Sequence, residues 1–186
     1  MEFWIFLGVI VLLVLFVISI YNRIISLNER CDQAYADIDV QLKQRHDLVP
    51  NLVNTVKGYA SHEQETLDAV IKARQNAVDA SGPAAQGPAE GVLGASLGRL
   101  FALAENYPDL KANTNFLELQ RELSDIENKI AAARRFFNSA IQEFNTIIQQ
   151  IPGNFIAPMG KFEKRDFFEI PENARVEVEA TPDVSF

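Results

Sequence analysis

The sequence predicts an all-α protein in which an N-terminal single-pass transmembrane helix continues into an antiparallel four-helix bundle. Three observations carry this expectation: an uncharged apolar run at the start, a long 3.5-residue seam near the end, and no strand-like alternation before the tail. Phe3 to Asn22 reads FWIFLGVIVLLVLFVISIYN without one charge. As a helix that run is roughly 30 Å long, the thickness of a bilayer's hydrocarbon layer. A cleaved secretory signal would need a basic start, a shorter apolar core and small residues at its end. Only Met1 and Glu2 precede the run, however, and Ser19-Ile20-Tyr21 is no such cleavage site. Residues 1–22 are therefore expected to be an uncleaved anchor. Trp4 and Tyr21 lie near its two ends, where interfacial aromatics and plain apolar filler are equally expected.

Cations are retained on the cytoplasmic side more readily than they are translocated. No Lys or Arg precedes the anchor, whereas Arg23, Arg30, Lys43 and Arg45 follow it. The expectation is a protein of the cell's inner membrane with its N-terminus outside and the remainder in the cytoplasm.

Residues 23–151 read as the bundle. A seam through Ile24, Leu27, Cys31, Ala34, Ile38 and Leu42 marks a first helix over about 23–47, continuous with the anchor. Pro50 then removes a backbone donor and restricts Val49, which leaves either a kink or a hairpin, the hairpin being preferred. A second helix over about 50–80 carries Leu52, Val53, Val56, Tyr59, Leu67, Val70, Ile71 and Val78, weakened locally by Gly58. Ser81 to Gly91 is dense in Gly, Pro and Ala and reads as a loop. A third helix over about 92–106 has Leu93, Leu97, Leu100, Phe101 and Ala104 on one side. The fourth, about 115–151, has the strongest pattern in the chain: Phe116, Leu119, Leu123, Ile126, Ile130, Ala133, Phe137, Ala140, Phe144, Ile147 and Ile151, in alternating steps of three and four. Asn115 with Glu118 resembles a capping box at its start, and Pro152-Gly153 ends it.

Residues 152–186 form an aromatic and then acidic tail. Phe155, Phe162, Phe167 and Phe168 are costly to leave in water, since each hides about 150–250 Å² when buried. They are expected to dock on their own bundle or to engage a partner. Beyond Ile170 the acidic end is expected to be disordered, with Arg175 to Glu179 able to form a short strand on a partner's edge.

Composition excludes some functions. The net charge is −8, from 17 Lys and Arg against 25 Asp and Glu, with no basic stripe for nucleic acid. The lone Cys31 makes no internal disulfide or metal cluster and suits a small core position. His62-Glu63-Gln64-Glu65-Thr66 begins like a zinc helix, but Thr66 stands where the second histidine belongs. Asp37 and Asp39, two apart on a helix, point away from each other. Neither a nucleophile elbow nor a phosphate loop occurs, so neither catalytic residues nor cofactors are expected. Asp37, Asp39, Gln41, Arg45, His46, Asp47 and Asn51 cluster around the proposed junction, either as ordinary exposed helix faces or as a recognition surface. A hairpin at Pro50 would hold that surface roughly 35 Å from the membrane.

Several strings together carry a resemblance. They are Asp37-Ile38-Asp39-Val40-Gln41-Leu42-Lys43-Gln44-Arg45-His46-Asp47-Leu48-Val49-Pro50-Asn51-Leu52-Val53, Val56-Lys57-Gly58-Tyr59-Ala60, His62-Glu63 and Tyr107-Pro108-Asp109-Leu110-Lys111-Ala112-Asn113. On the last helix, Ala133-Arg134-Arg135-Phe136-Phe137-Asn138 and Phe144-Asn145-Thr146 fit as well. Long and in order, they closely resemble the signature of the LemA family, from the anchor to about Phe168. The resemblance implies a single-pass bacterial membrane protein with a cytoplasmic four-helix bundle and no established catalytic residue. It also implies a context of magnetosome membrane formation in some relatives, or of a neighbouring membrane-bound zinc protease. The function expected is a non-enzymatic scaffold or adaptor in membrane organisation or quality control. Its partners would be the lipid bilayer, further copies of itself or another membrane protein such as a membrane protease, but not nucleic acid. The alternative is an enzyme or ligand sensor built on the polar residues around His46 and His62.

Overall fold

A computed structural model describes residues 1–169, and these are helical apart from turns and the irregular stretch after Lys161. The expectations for the acidic end beyond Ile170, including a strand at Arg175 to Glu179, lie outside the described residues. The helices are α1 (Glu2–Lys57), α2 (Gln64–Asp79), α3 (Pro83–Ala104), α4 (Pro108–Lys111), α5 (Thr114–Gln149) and α6 (Gly153–Ile156), with a 3-10 turn at Ala157–Gly160. The described residues divide into two compact units, Met1–Ile38 with Ala133–Asp166, and Asp39–Ala132 with residues 167–169.

In the first unit the start of α1 is apolar on every side, and its large side chains from Phe3 to Ile18 are all exposed. A helix hydrophobic all round has no solvent face, so this stretch matches a lipid surroundings better than an aqueous one. From Ile24 onward the same helix becomes one-sided. Ile24, Cys31, Ala34 and Ile38 are fully buried, as the 3.5-residue seam requires. Phe137, Ala140, Ile141 and Phe144 of α5 are buried too, and the Phe137 ring packs 5.7 Å from that of Tyr35. Each buried Ile or Phe among them contributes about 1.5–3 kcal/mol. Towards the end of α5 burial passes from the Ile147 position to Ile148, while Ile151 stands exposed. An α-helix at 3.6 residues per turn drifts off a 3.5 repeat, so the written seam and the buried stripe part company at its end.

In the second unit α2 packs on α3, and Val49, Leu52, Val56, Val70, Leu93 and Leu100 belong to one core with Phe116 and Leu123 of α5. Three expectations are corrected here. No hairpin forms at Pro50: α1 runs through it to Lys57. A proline cannot donate to the carbonyl four residues back, but Arg74 Nε donates to that His46 carbonyl at 2.7 Å and repairs the gap. The break comes instead at Gly58–Glu63. Residues 81–91 are not a loop, because α3 begins at Pro83, a residue favoured in a first helical turn, and carries on through Pro88. Tertiary context overrides the poor helix propensity of this run: Glu90 pairs with Arg45 and His46, and the same helix buries Leu93, Leu97 and Leu100. Asn113, not Asn115, caps α5: its Oδ1 accepts from the Phe116 amide at 3.0 Å.

Candidate functional site

The most unusual chemistry in the described residues is a buried charge cluster in the second unit. Arg45 is 3% exposed and Glu90 4% exposed, which long charged side chains tolerate only when paired. α1 supplies Arg45 and His46 in adjacent positions, and α3 brings Glu90 against both. Arg45 donates to Glu90 Oε2 through Nη2 and to Glu127 Oε2 through Nη1. Glu90 Oε1 lies 2.7 Å from His46 Nε2, which therefore donates to the carboxylate.

Burial alone would raise the Glu90 pKa. The hydrogen bond from His46, with the charge and hydrogen bond of Arg45, outweighs it and holds the carboxyl below its usual range. Glu90 is thus an ionised acid with both oxygens engaged. Such an acid neutralises Arg45; it offers no free oxygen to a substrate. Among the described residues, no group of three or more His, Cys, Asp and Glu side chains converges as a metal-ion site.

The residues expected to form a partner surface fall into two sets. Asp37, Asp39, Asp47 and Asn51 are exposed and Gln41 is half-buried. Arg45 and His46 differ from these: Arg45 is buried and His46 half-buried, and both are tied to Glu90. Of the aromatic tail, Phe155 is exposed, Phe167 is at the margin, Phe162 is half-buried and Phe168 is buried. The Phe162 ring lies 6.0 Å from Tyr21 and 6.3 Å from Phe144. Phe168 and Phe162 therefore dock on their own chain, and Phe155 does not.

Glu90, Glu127 and Arg74 were not picked out by the sequence. Glu90 sits in a Gly-Pro-Ala-Glu-Gly run that reads as a loop, and nothing local marks it. Several residues of the signature strings hold one another or a neighbour. Asn113 Nδ2 donates to the Tyr59 hydroxyl at 2.9 Å, Tyr107 donates its hydroxyl to Glu63 Oε1 at 3.1 Å, and Lys111 pairs with Glu105. The Tyr107 pKa is raised, first by that bond to Glu63. His62 is exposed.

Comparison with known proteins adds kinship to this geometry. The sequence model of the LemA family matches residues 34–186. Magnetosome protein MamQ of Magnetospirillum gryphiswaldense is 25% identical over 175 residues, covering 80% of this chain and 64% of its own. Magnetosome protein MamQ 2 of Paramagnetospirillum magneticum is 24% identical over 176 residues, with the same shares. Protein LemA of Metamycoplasma hominis is 26% identical over 164 residues, covering 86% of this chain and 74% of its own. The chain spans a little under two thirds of the two magnetosome proteins.

Proposed function

The chain belongs to the LemA family, and from that premise we propose that it is a membrane-anchored scaffold or adaptor without catalytic activity. It acts by self-association or by gripping a membrane partner. In this reading residues 1–22 cross the inner membrane with the N-terminus outside, and the cytoplasmic helical segments form an antiparallel four-helix bundle. One observation carries it: the same helix that is apolar and exposed from Phe3 to Ile18 runs on into a folded body whose most buried charges neutralise one another. A part in an assembled cellular structure fits the kinship with two proteins named for the magnetosome. The reading as an enzyme or sensor gains nothing from His46, which Glu90 engages, or from the solitary exposed His62.

The remaining candidates for partner contact are the exposed Asp37, Asp39, Asp47 and Asn51 on α1. Photo-crosslinking residues placed there, one at a time, in the full-length protein in cells are expected to give discrete adducts, either with a second copy or with one membrane protein. Uniformly monomeric protein without adducts at any of the four would overturn the proposal.

A further inference from the structure

Residues 151–160 fold back from the end of α5, and the first unit fixes where they lie. Gly153 permits the return: a Cβ there would stand 2.0 Å from the Ile147 carbonyl oxygen, so only glycine brings the backbone this close. Beyond the turn, Asn145 grips the chain at Arg165, donating to its carbonyl and accepting from its amide, both at 2.9 Å. Between these two fixed points Ile156 and Met159 line an apolar groove with Val17, Ile18 and Tyr21 of α1. Those three residues are the last turn and a half of the uncharged run.

The turn is therefore level with the point where the apolar helix would leave the bilayer, and it carries large apolar side chains that nothing among the described residues covers. Ile151 is 79% exposed, Phe155 71% and Met159 73%. Met159 joins the turn, through the groove, to the exposed apolar surface of α1 at Val17 and Ile18. Cations follow it closely in the chain: Arg23 comes directly after the uncharged run and Lys161 and Lys164 directly after the turn, all three exposed, with Glu163 between the two lysines. In a chain of net charge −8, three cations beside an apolar wedge are a local reversal of sign. Apolar side chains backed by Lys and Arg are the pattern of an element lying in the headgroup region, and anionic lipid attracts such cations.

We infer that the 151–160 turn is a second membrane contact, inserting Ile151, Phe155 and Met159 into the bilayer interface beside the N-terminal helix. The inference rests on the reading of residues 3–22 as membrane-embedded. Two contacts on one leaflet would fix the tilt and rotation of α1 as it leaves the lipid, which a single helix in a fluid bilayer does not do.

The test uses full-length protein in vesicles of phosphatidylcholine and phosphatidylglycerol, with an environment-sensitive fluorophore on Phe155→Cys. Leu12→Cys reports the anchor, and Val78→Cys, exposed on α2, reports water. The native Cys31 is buried and stays unlabelled. Label at 155 is expected to shift to the blue and to lose about half its emission or more to lipids spin-labelled in the upper acyl chain, the depth of roughly 5–10 Å where interfacial apolar faces lie. Label at 78 is expected to do neither. If 155 behaves like 78 while 12 is quenched, the second contact is wrong and the anchor stands. A blue shift at 155 without lipid quenching means that protein, such as a second copy, covers the patch, and also overturns it. If 12 is not quenched by lipids spin-labelled near the end of the acyl chain, the anchor reading fails and this inference with it.

Discussion

Arg45 and Arg165 are each clasped by carboxylates, in opposite surroundings. Arg45 is buried against Glu90 in the second unit, and Arg165, in the first, faces Asp32 at a surface where the two side chains are 29% and 55% exposed. At the surface, water screens the attraction and would replace it, so such a pair contributes about 0–1 kcal/mol. In the interior both charges have lost their hydration, and neither tolerates losing the other. Similar chemistry is thus an optional tie in one unit and a condition of folding in the other. The Arg165 pKa is raised chiefly by its hydrogen bond to Asp32, against the opposing effect of burial. At Arg165, which is always charged, that shift has no consequence near neutrality.

The largest expected effect tests the buried half. Glu90→Ala leaves Arg45 and His46 without their shared acceptor and is expected to cost about 3–5 kcal/mol, read as a lower urea midpoint of the detergent-solubilised protein. Replacing Arg45 and Glu90 together by methionine is expected to recover most of that loss, because no orphan charge of the pair remains. Failure of the double variant to recover would show that the cluster does more than neutralise itself. Acid supplies a second arm. The folded Glu90 pKa is lowered from its usual 4.5, so its contribution is complete above that value and is lost as pH falls through the folded pKa. Glu90→Gln is expected to flatten that part of the acid limb.

What the sequence made legible follows the same division. Ile24, Cys31, Ala34, Ile38 and Leu42 lie on the buried face their spacing predicted, because periodicity is a property of one helix and needs no partner to be read. The exposed apolar start of α1 was legible for that reason too. Glu90 was not: its role depends on Arg45, 45 positions away, and on a helix formed through Gly and Pro against local propensity. Pro50 misled because its missing bond is supplied by Arg74, 28 positions from His46. Local rules place seams and anchors, while long-range partners decide where rule-breaking residues are tolerated. Asp37, Asp39, Asp47 and Asn51 lie at the surface, whereas Arg45 and His46 are engaged by a partner that comes from α3.

A middle-sized effect probes the tail's docking in the second unit. A Cβ on Gly87 would stand 2.0 Å from the Glu169 carbonyl oxygen, beside the buried Phe168. Gly87→Ala is expected to cost about 1–3 kcal/mol as overpacking and to speed chymotryptic cleavage at Phe167 and Phe168. Gly94→Ala on the same helix meets nothing within 4 Å and is expected to stabilise by about 0.5–1 kcal/mol. Equal responses at the two glycines would remove the tail contact as the cause.

The smallest effect belongs to the surface pair, and it discriminates most finely. Arg165 is held by its ion pair to Asp32, with Nη2 at 3.1 Å, and by the double backbone grip of Asn145. The guanidinium also lies 5.7 Å from the Phe144 ring centre, where cation–π attraction persists without Asp32. Asp32→Asn is therefore expected to cost less than about 1 kcal/mol, and less again in high salt. Asn145→Ala removes two neutral bonds that salt does not screen and is expected to cost about 1–3 kcal/mol at any ionic strength. Urea midpoints of both variants at low and high salt measure the contrast. If Asp32→Asn proves the costlier, salt-independent change, the ion pair at the surface behaves like the one inside, and the distinction between the two arginines is lost.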